Sequence, residues 1–90
     1  MSTQKITEES NQKIHIYVGS PEKILFEGEA IGLTTFNSKG EFSIIPQHIN
    51  FRTLIQDKIA VHVSNDDIKE FTISKGVLSF SNNKLEAYII

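Results

Sequence analysis

The chain has 90 residues, 11 acidic and 9 basic side chains for a formal net charge of −2, and 39% hydrophobic residues. That length supports one small core and no second domain, and the acidic balance with scattered Lys and Arg excludes a nucleic-acid footprint. With no cysteine there is no disulfide framework, zinc knuckle or thiol nucleophile, and no run approaches the roughly 20 apolar residues of a membrane-spanning helix, so any membrane link runs through a partner.

In chain order, residues 1–13, MSTQKITEESNQK, carry only Ile6 as an apolar side chain after Met1. They read as a flexible polar tail without the apolar region of a signal peptide; a short helical arm begun at Glu8 and Glu9 is the alternative. Residues 14–90 read as one β domain. Ile14, Ile16 and Val18 alternate with His15, Tyr17 and Gly19, the period of a strand with one buried face. Ser20-Pro21-Glu22 is a turn, because Pro21 fixes its own φ and pushes its predecessor into an extended state. A strand from Ile24 to Leu33 follows, interrupted at Gly28, where a bulge or a close backbone approach is expected. Asn37-Ser38-Lys39-Gly40 reverses the chain, Glu41 to Ile45 returns, and Pro46 ends that strand.

Leu54 and Ile55 lead to a polar corner at Gln56-Asp57-Lys58. Ile59, Val61 and Val63 alternate with Ala60, His62 and Ser64, and Asn65-Asp66-Asp67 turns the chain into a return strand. Ser74-Lys75-Gly76 predicts a turn or bulge. Leu78 and Phe80 face inward, opposite to Val77, Ser79 and Ser81; after a tight turn at Asn82-Asn83, Leu85, Ala87 and Ile89 face inward, opposite to Glu86, Tyr88 and Ile90. Short β segments at this spacing predict an all-β sandwich or barrel.

No constellation predicts catalysis. His15 and His62 occupy polar positions of alternating strands and read as solvent-facing residues rather than metal ligands. Neither Ser43 nor Ser64 has a spacing to histidine that suggests a nucleophilic triad. Gly28, Gly32 and Gly40 lie in strand and turn contexts with no helix start to receive a phosphate. Glu27, Glu29 and Glu41 are explained by solubility of exposed strand positions rather than by paired acid chemistry. Neither a metal nor a cofactor is expected.

Pro21-Glu22, Phe26-Glu27-Gly28-Glu29, Gly40-Glu41, Ile44-Ile45-Pro46, His48 and Thr53-Leu54 stand in fixed order and spacing. In that arrangement the chain resembles the N-terminal β-sandwich domain of the epsilon subunit of F-type ATP synthases. The resemblance implies a flattened sandwich of about ten short strands in two sheets. It also implies a non-catalytic central-stalk subunit of a proton- or sodium-translocating complex, linking the gamma subunit to the c-ring at the cytoplasmic face of the bacterial inner membrane. On this reading Gly40, Glu41, Phe42 and His48 meet the c-ring, and the outward apolar residues Val77, Tyr88 and Ile90 meet the gamma subunit. The C-terminal helical hairpin usual in the family does not follow Ile90, so ATP binding is not expected. The sequence departs from the family pattern at Thr35, Phe42-Ser43, Ile49 to Arg52, Asp57-Lys58 and Lys75. A free-standing β-sandwich protein-binding module derived from the same fold is the alternative function.

Overall fold

The computed structural model describes residues 12–47 and 49–90. Seven strands run in the order β1 (Ile14–Gly19), β2 (Ile24–Ala30), β3 (Gly32–Asn37), β4 (Gly40–Ile44), β5 (Phe51–Ser64), β6 (Asp67–Ser81) and β7 (Lys84–Ile89). They form one hydrogen-bonded sheet, ordered β2-β1-β7-β6-β5-β3-β4, in which β1 and β7 are parallel and the other neighbours antiparallel.

The all-β architecture agrees with the sequence, but the expected ten strands in two sheets do not. Two elements account for the difference. β5 and β6 have 14 and 15 residues, and each passes through the segment that read as a corner or turn. At that place the ladder shifts from Gln56↔Lys75 to Asp57↔Ile73, skipping Ser74, and Asp57 takes a left-handed backbone with φ of 75°. A bulge of this kind keeps the strands paired while bending them. The first half of β5 therefore continues the layer of β2, β1, β7 and the end of β6. Its second half pairs with β3, from Gly32↔His62 to Thr35↔Ile59. The sheet thus folds on itself, which is how a single ladder encloses a core. The expected strand from Ile24 to Leu33 likewise divides at Ile31, whose N–H donates to the His62 carbonyl at 2.8 Å as the chain passes between layers.

The core lies between the layers. Ile14, Ile16 and Val18 of β1, Leu85 and Ala87 of β7, and Leu78 and Phe80 of β6 meet Leu33, Phe42, Ile44, Ile59 and Val61 from the other side, all buried. A ring series spans the gap: Phe42 lies 6.1 Å from Phe51 in an edge arrangement, and Phe51 lies 6.4 Å from Phe80. Such pairs add about 0.5–1.5 kcal/mol each beyond the area they bury. The fully buried Thr35 stands among these apolar groups because its hydroxyl donates to the Lys58 carbonyl at 2.7 Å. That bond satisfies a carbonyl left out of the ladder where β3 passes from Ile59 to Gln56, and an unmet buried group would cost about 1–3 kcal/mol.

Turn chemistry fixes the ends. Ser20 and Lys23 close the β1–β2 turn, with the Ser20 N–H donating to the Lys23 carbonyl at 2.8 Å. Asn82 and Asn83 both have positive φ, 53° and 58°, as a two-residue hairpin turn requires. Asn83 also ties together what surrounds it: its carbonyl accepts from the His15 N–H at 2.9 Å, and its side-chain oxygen accepts from the Gln47 N–H at 2.9 Å. The loop after β4 is thereby held against the β6–β7 turn.

Candidate functional site

The β3–β4 hairpin tip is built by local hydrogen bonding. The Lys39 N–H donates to the Asn37 side-chain oxygen at 2.8 Å, Asn37 pairs with Gly40 across the turn, and Gly40 has a φ of 118° with open space around it. Glu41 follows, half-buried, opposite Phe36. Phe42 does not belong to this surface. It is 6% exposed and packs on Phe51, because it shares a strand face with the buried Ile44. Its ring is part of the core, and the expected c-ring contact through Phe42 is corrected on that ground. His48 lies outside the described residues. The Pro46–Gln47 loop that precedes it leaves the far end of β4 and is held at the Asn82–Asn83 turn. Gly40 and Glu41 on one side, and this loop on the other, therefore sit at opposite ends of one strand and do not form one contact surface.

The outward apolar residues do come together. In the antiparallel pairs the partners point to the same face, and the register Leu54↔Val77, Val77↔Tyr88 continues through the parallel Gly19↔Tyr88 and then Gly19↔Ile24. A row thus crosses five strands. Leu54 is 71% exposed, Ile24 55% and Tyr88 49%, and Ile90 beyond β7 reaches 82%. Gly19 leaves no gap in this row, because the Tyr17 ring lies over it: a Cβ there would meet the Tyr17 hydroxyl at 2.6 Å. Tyr17 in turn lies against Tyr88, with ring centroids 5.6 Å apart and planes inclined by 47°. The Tyr88 phenol is held above its ordinary pKa, first by desolvation and then by the neighbouring Glu86 carboxylate, Tyr17 and a hydrogen bond with Glu86.

A groove of about 470 Å³ opens beside this row, lined by Leu54, Ile55, Gly76 and Ile90 with Ser38, Thr53, Gln56 and Lys75 around them. Ser38 belongs to the hairpin tip. The groove therefore joins two surfaces that are distant in sequence, the tip next to Gly40 and the apolar row at its Leu54 end. The sequence reading reached Val77, Tyr88 and Ile90 but missed Leu54, Tyr17 and Ile24. The signal was present at Leu54-Ile55, where two adjacent apolar residues of one strand cannot both face inward.

On the other layer, His62 is half-buried rather than solvent-facing. Its Nε2 lies 3.0 Å from the Thr34 hydroxyl, which lies 2.8 Å from the Ser43 hydroxyl. Desolvation lowers the His62 pKa, and Glu70 offsets part of that. Thr34 stands between Ser43 and His62, so the two do not form a nucleophile–base pair. Among the described residues there is no group of three metal-ligating side chains and no helix long and apolar enough to cross a membrane.

A family model described as the β-sandwich domain of the ATP synthase delta/epsilon chain matches residues 13–87. An ATP synthase epsilon chain of Leptospira interrogans is 29% identical over 76 residues, covering 84% of this chain and 60% of its own length. One from Clostridium kluyveri is 30% identical over 69 residues, covering 74% of this chain and 52% of its own. The chain thus spans only about half to three fifths of these relatives. Among solved structures, a chain of the Euglena gracilis mitochondrial ATP synthase, OSCP/F1/c-ring, superposes with a TM-score of 0.78 at 9% identity, covering 99% of this chain and 59% of that one. A chain of the Tetrahymena thermophila mitochondrial ATP synthase central stalk/c-ring gives 0.70 at 13% identity, covering 88% and 64%. At such identities the likeness is one of fold.

Proposed function

The chain belongs to the ATP synthase delta/epsilon β-sandwich family, and we propose on that basis that it is a non-catalytic central-stalk subunit of an F-type ATP synthase, joining the gamma subunit to the c-ring. The observation that carries this reading is the match over residues 13–87, which takes in nearly the whole described domain. In this role the domain transmits rotation. A densely packed core between two layers resists deformation, and a torque-bearing element needs two separate contact surfaces.

The surfaces described above supply them. The Gly40–Glu41 tip is the c-ring contact: a short anionic end pairs with basic residues on polar loops and adds register and specificity. Glu41 takes this role without Phe42. The row through Val77 and Tyr88, with Ile90 beyond it, is the gamma contact, since exposed apolar patches mark interaction surfaces. Placement follows from the partners: the domain sits peripherally on the membrane-bound complex, on the cytoplasmic face in a bacterium. In this role the chain's own residues carry no catalysis.

The test is capture of the gamma subunit and, separately, of the detergent-solubilised c-ring from the same source by the immobilised chain. Wild type captures both, Tyr88→Asp loses the gamma subunit, and Glu41→Lys loses the c-ring, each variant retaining its circular dichroism. Wild-type protein that captures neither would overturn the rotor role and leave the free-standing protein-binding module.

A further inference from the structure

The shape and charge of the apolar row constrain what docks on it. The row is one residue wide across β5, β6, β7, β1 and β2, except at its β5–β7 side, where Ile90 and the groove widen it. The row beside it is polar apart from Tyr17, whose ring leans over Gly19 into the strip: Arg52 pairs with Ser79, Ser79 with Glu86, Glu86 with Tyr17 and Tyr17 with Glu27. On the other side stand Gln56 and Lys75, a matched pair. A strip bounded by a polar row on one flank, and on the other by Gln56 and Lys75 with Ile90 as the one apolar side chain beside them, does not suit a second sheet, whose inner face would bring several apolar rows. It suits the single apolar stripe of an amphipathic helix. Four strand spacings of about 4.8 Å give a strip of about 19 Å, the length of about 13 helical residues at 1.5 Å each.

The charges are not symmetric along the strip. Glu27 and Glu86 stand toward the β2 and β7 side, where Lys23 in the turn before β2 and Lys84 at the start of β7 are strand-end cations, while Arg52 and Lys75, whose register partners are Ser79 and Gln56, stand toward β5 and β6. A helix carries partial positive charge at its N-terminus and partial negative charge at its C-terminus. We propose that the gamma-subunit element seated on this face is an α-helix of about 13 residues lying across the strands, its N-terminal end over Ile24 and Glu27 and its C-terminal end over Leu54, Arg52 and Lys75. This rests on the rotor reading above and adds to it the kind of element, its direction, and Leu54, Tyr17 and Ile24 as contact residues.

The lack of native cysteine makes the test clean. Single-cysteine variants Ile24→Cys and Leu54→Cys, with Ile68→Cys on the other layer as a control, are labelled with a photo-cross-linker and mixed with the gamma subunit of the same source. Cross-linked peptides are then mapped by mass spectrometry. The expected result is that positions 24 and 54 both mark one gamma helix, about 10–14 residues apart, with the position-24 site nearer the helix N-terminus and no product from position 68. In the capture assay Leu54→Asp lowers gamma affinity about tenfold or more, as placing a charge at an exposed apolar anchor does. Marks in reversed order, marks on separate segments or strands, or products joining only two copies of this chain would overturn the helix while leaving gamma binding to be judged by capture. Failure to capture gamma at all would overturn both.

Discussion

Gly76 couples the fold to its outward face, and replacing it by alanine has a calculable effect. A Cβ at this position would stand 2.8 Å from the Tyr88 carbonyl oxygen and 3.3 Å from the nearest Ile55 side-chain carbon. Ile55 is a side chain and can turn, whereas the Tyr88 oxygen belongs to the β7 backbone. Carbon–oxygen contacts settle at about 3.3–3.6 Å, so β7 must retreat by about 0.5 Å. The retreat falls where the Ile90 N–H donates to the Lys75 carbonyl at 3.0 Å. Overpacking costs about 1–3 kcal/mol, a lost hydrogen bond about 0.5–1.5 kcal/mol, and the reduced freedom of the unfolded chain returns about 0.4–1 kcal/mol. At mid-range values a net loss of about 2 kcal/mol follows, and at roughly 4–8 °C per kcal/mol for a domain of this size thermal unfolding moves down by about 8–16 °C. Urea and thermal denaturation measure this, with Ser81→Ala, an exposed strand-end change, as a control expected within about 0.5 kcal/mol of wild type. Hydrogen exchange at the Ile90 amide adds a local readout, since its protection falls with β7 displaced. A Gly76→Ala protein as stable as the control, with Ile90 still protected, would refute the close approach of the β6 and β7 backbones.

Two further outcomes follow from the same structure. Because desolvation lowers the His62 pKa, the unfolded chain binds more protons than the folded one between that value and the ordinary value of about 6.5. This contribution to stability is fully present above about pH 6.5 and is lost as pH falls through the lower folded value. Urea midpoints at about pH 7.5 and 5.5 therefore differ more in wild type than in His62→Gln. Equal differences would contradict the role of His62. Asn83→Gly retains the left-handed turn but loses the bond to the Gln47 N–H, costing about 0.5–1.5 kcal/mol. Asn83→Ala adds about 1–2 kcal/mol of backbone strain, so alanine is expected to be the worse substitution in thermal denaturation.

Much of the fold was legible because alternation and turn chemistry agree in β1, in β7, and at the Asn37–Gly40 and Asn82–Asn83 turns. The continuity of β5 and β6 was not. A bulge shifts the inward set by one residue without breaking the ladder, so Gln56-Asp57-Lys58 looks in sequence like the end of one strand and the start of another. Asp57 hides the bend further, since a left-handed residue there is more often glycine or asparagine. At the candidate surfaces, nearness to the turn made Phe42 look like part of the tip, whereas its parity with Ile44 puts it in the core. Val77 and Tyr88 were reachable from alternation within their own strands. Ile24 and Tyr17 joined them only through the Gly19 register, a tertiary relation that no local pattern carries.

The rotor role is tested most directly by bridging. Purified gamma subunit is incubated with proteoliposomes containing the c-ring of the same source, with and without this chain, and the membranes are sedimented. A subunit that joins the two raises the gamma subunit recovered with the membranes and is recovered in equal amount, and Glu41→Lys abolishes the increase although gamma binding in solution persists. Recovery of gamma that is unchanged or reduced when the chain is added, with the chain shown to be folded, would contradict a central-stalk function.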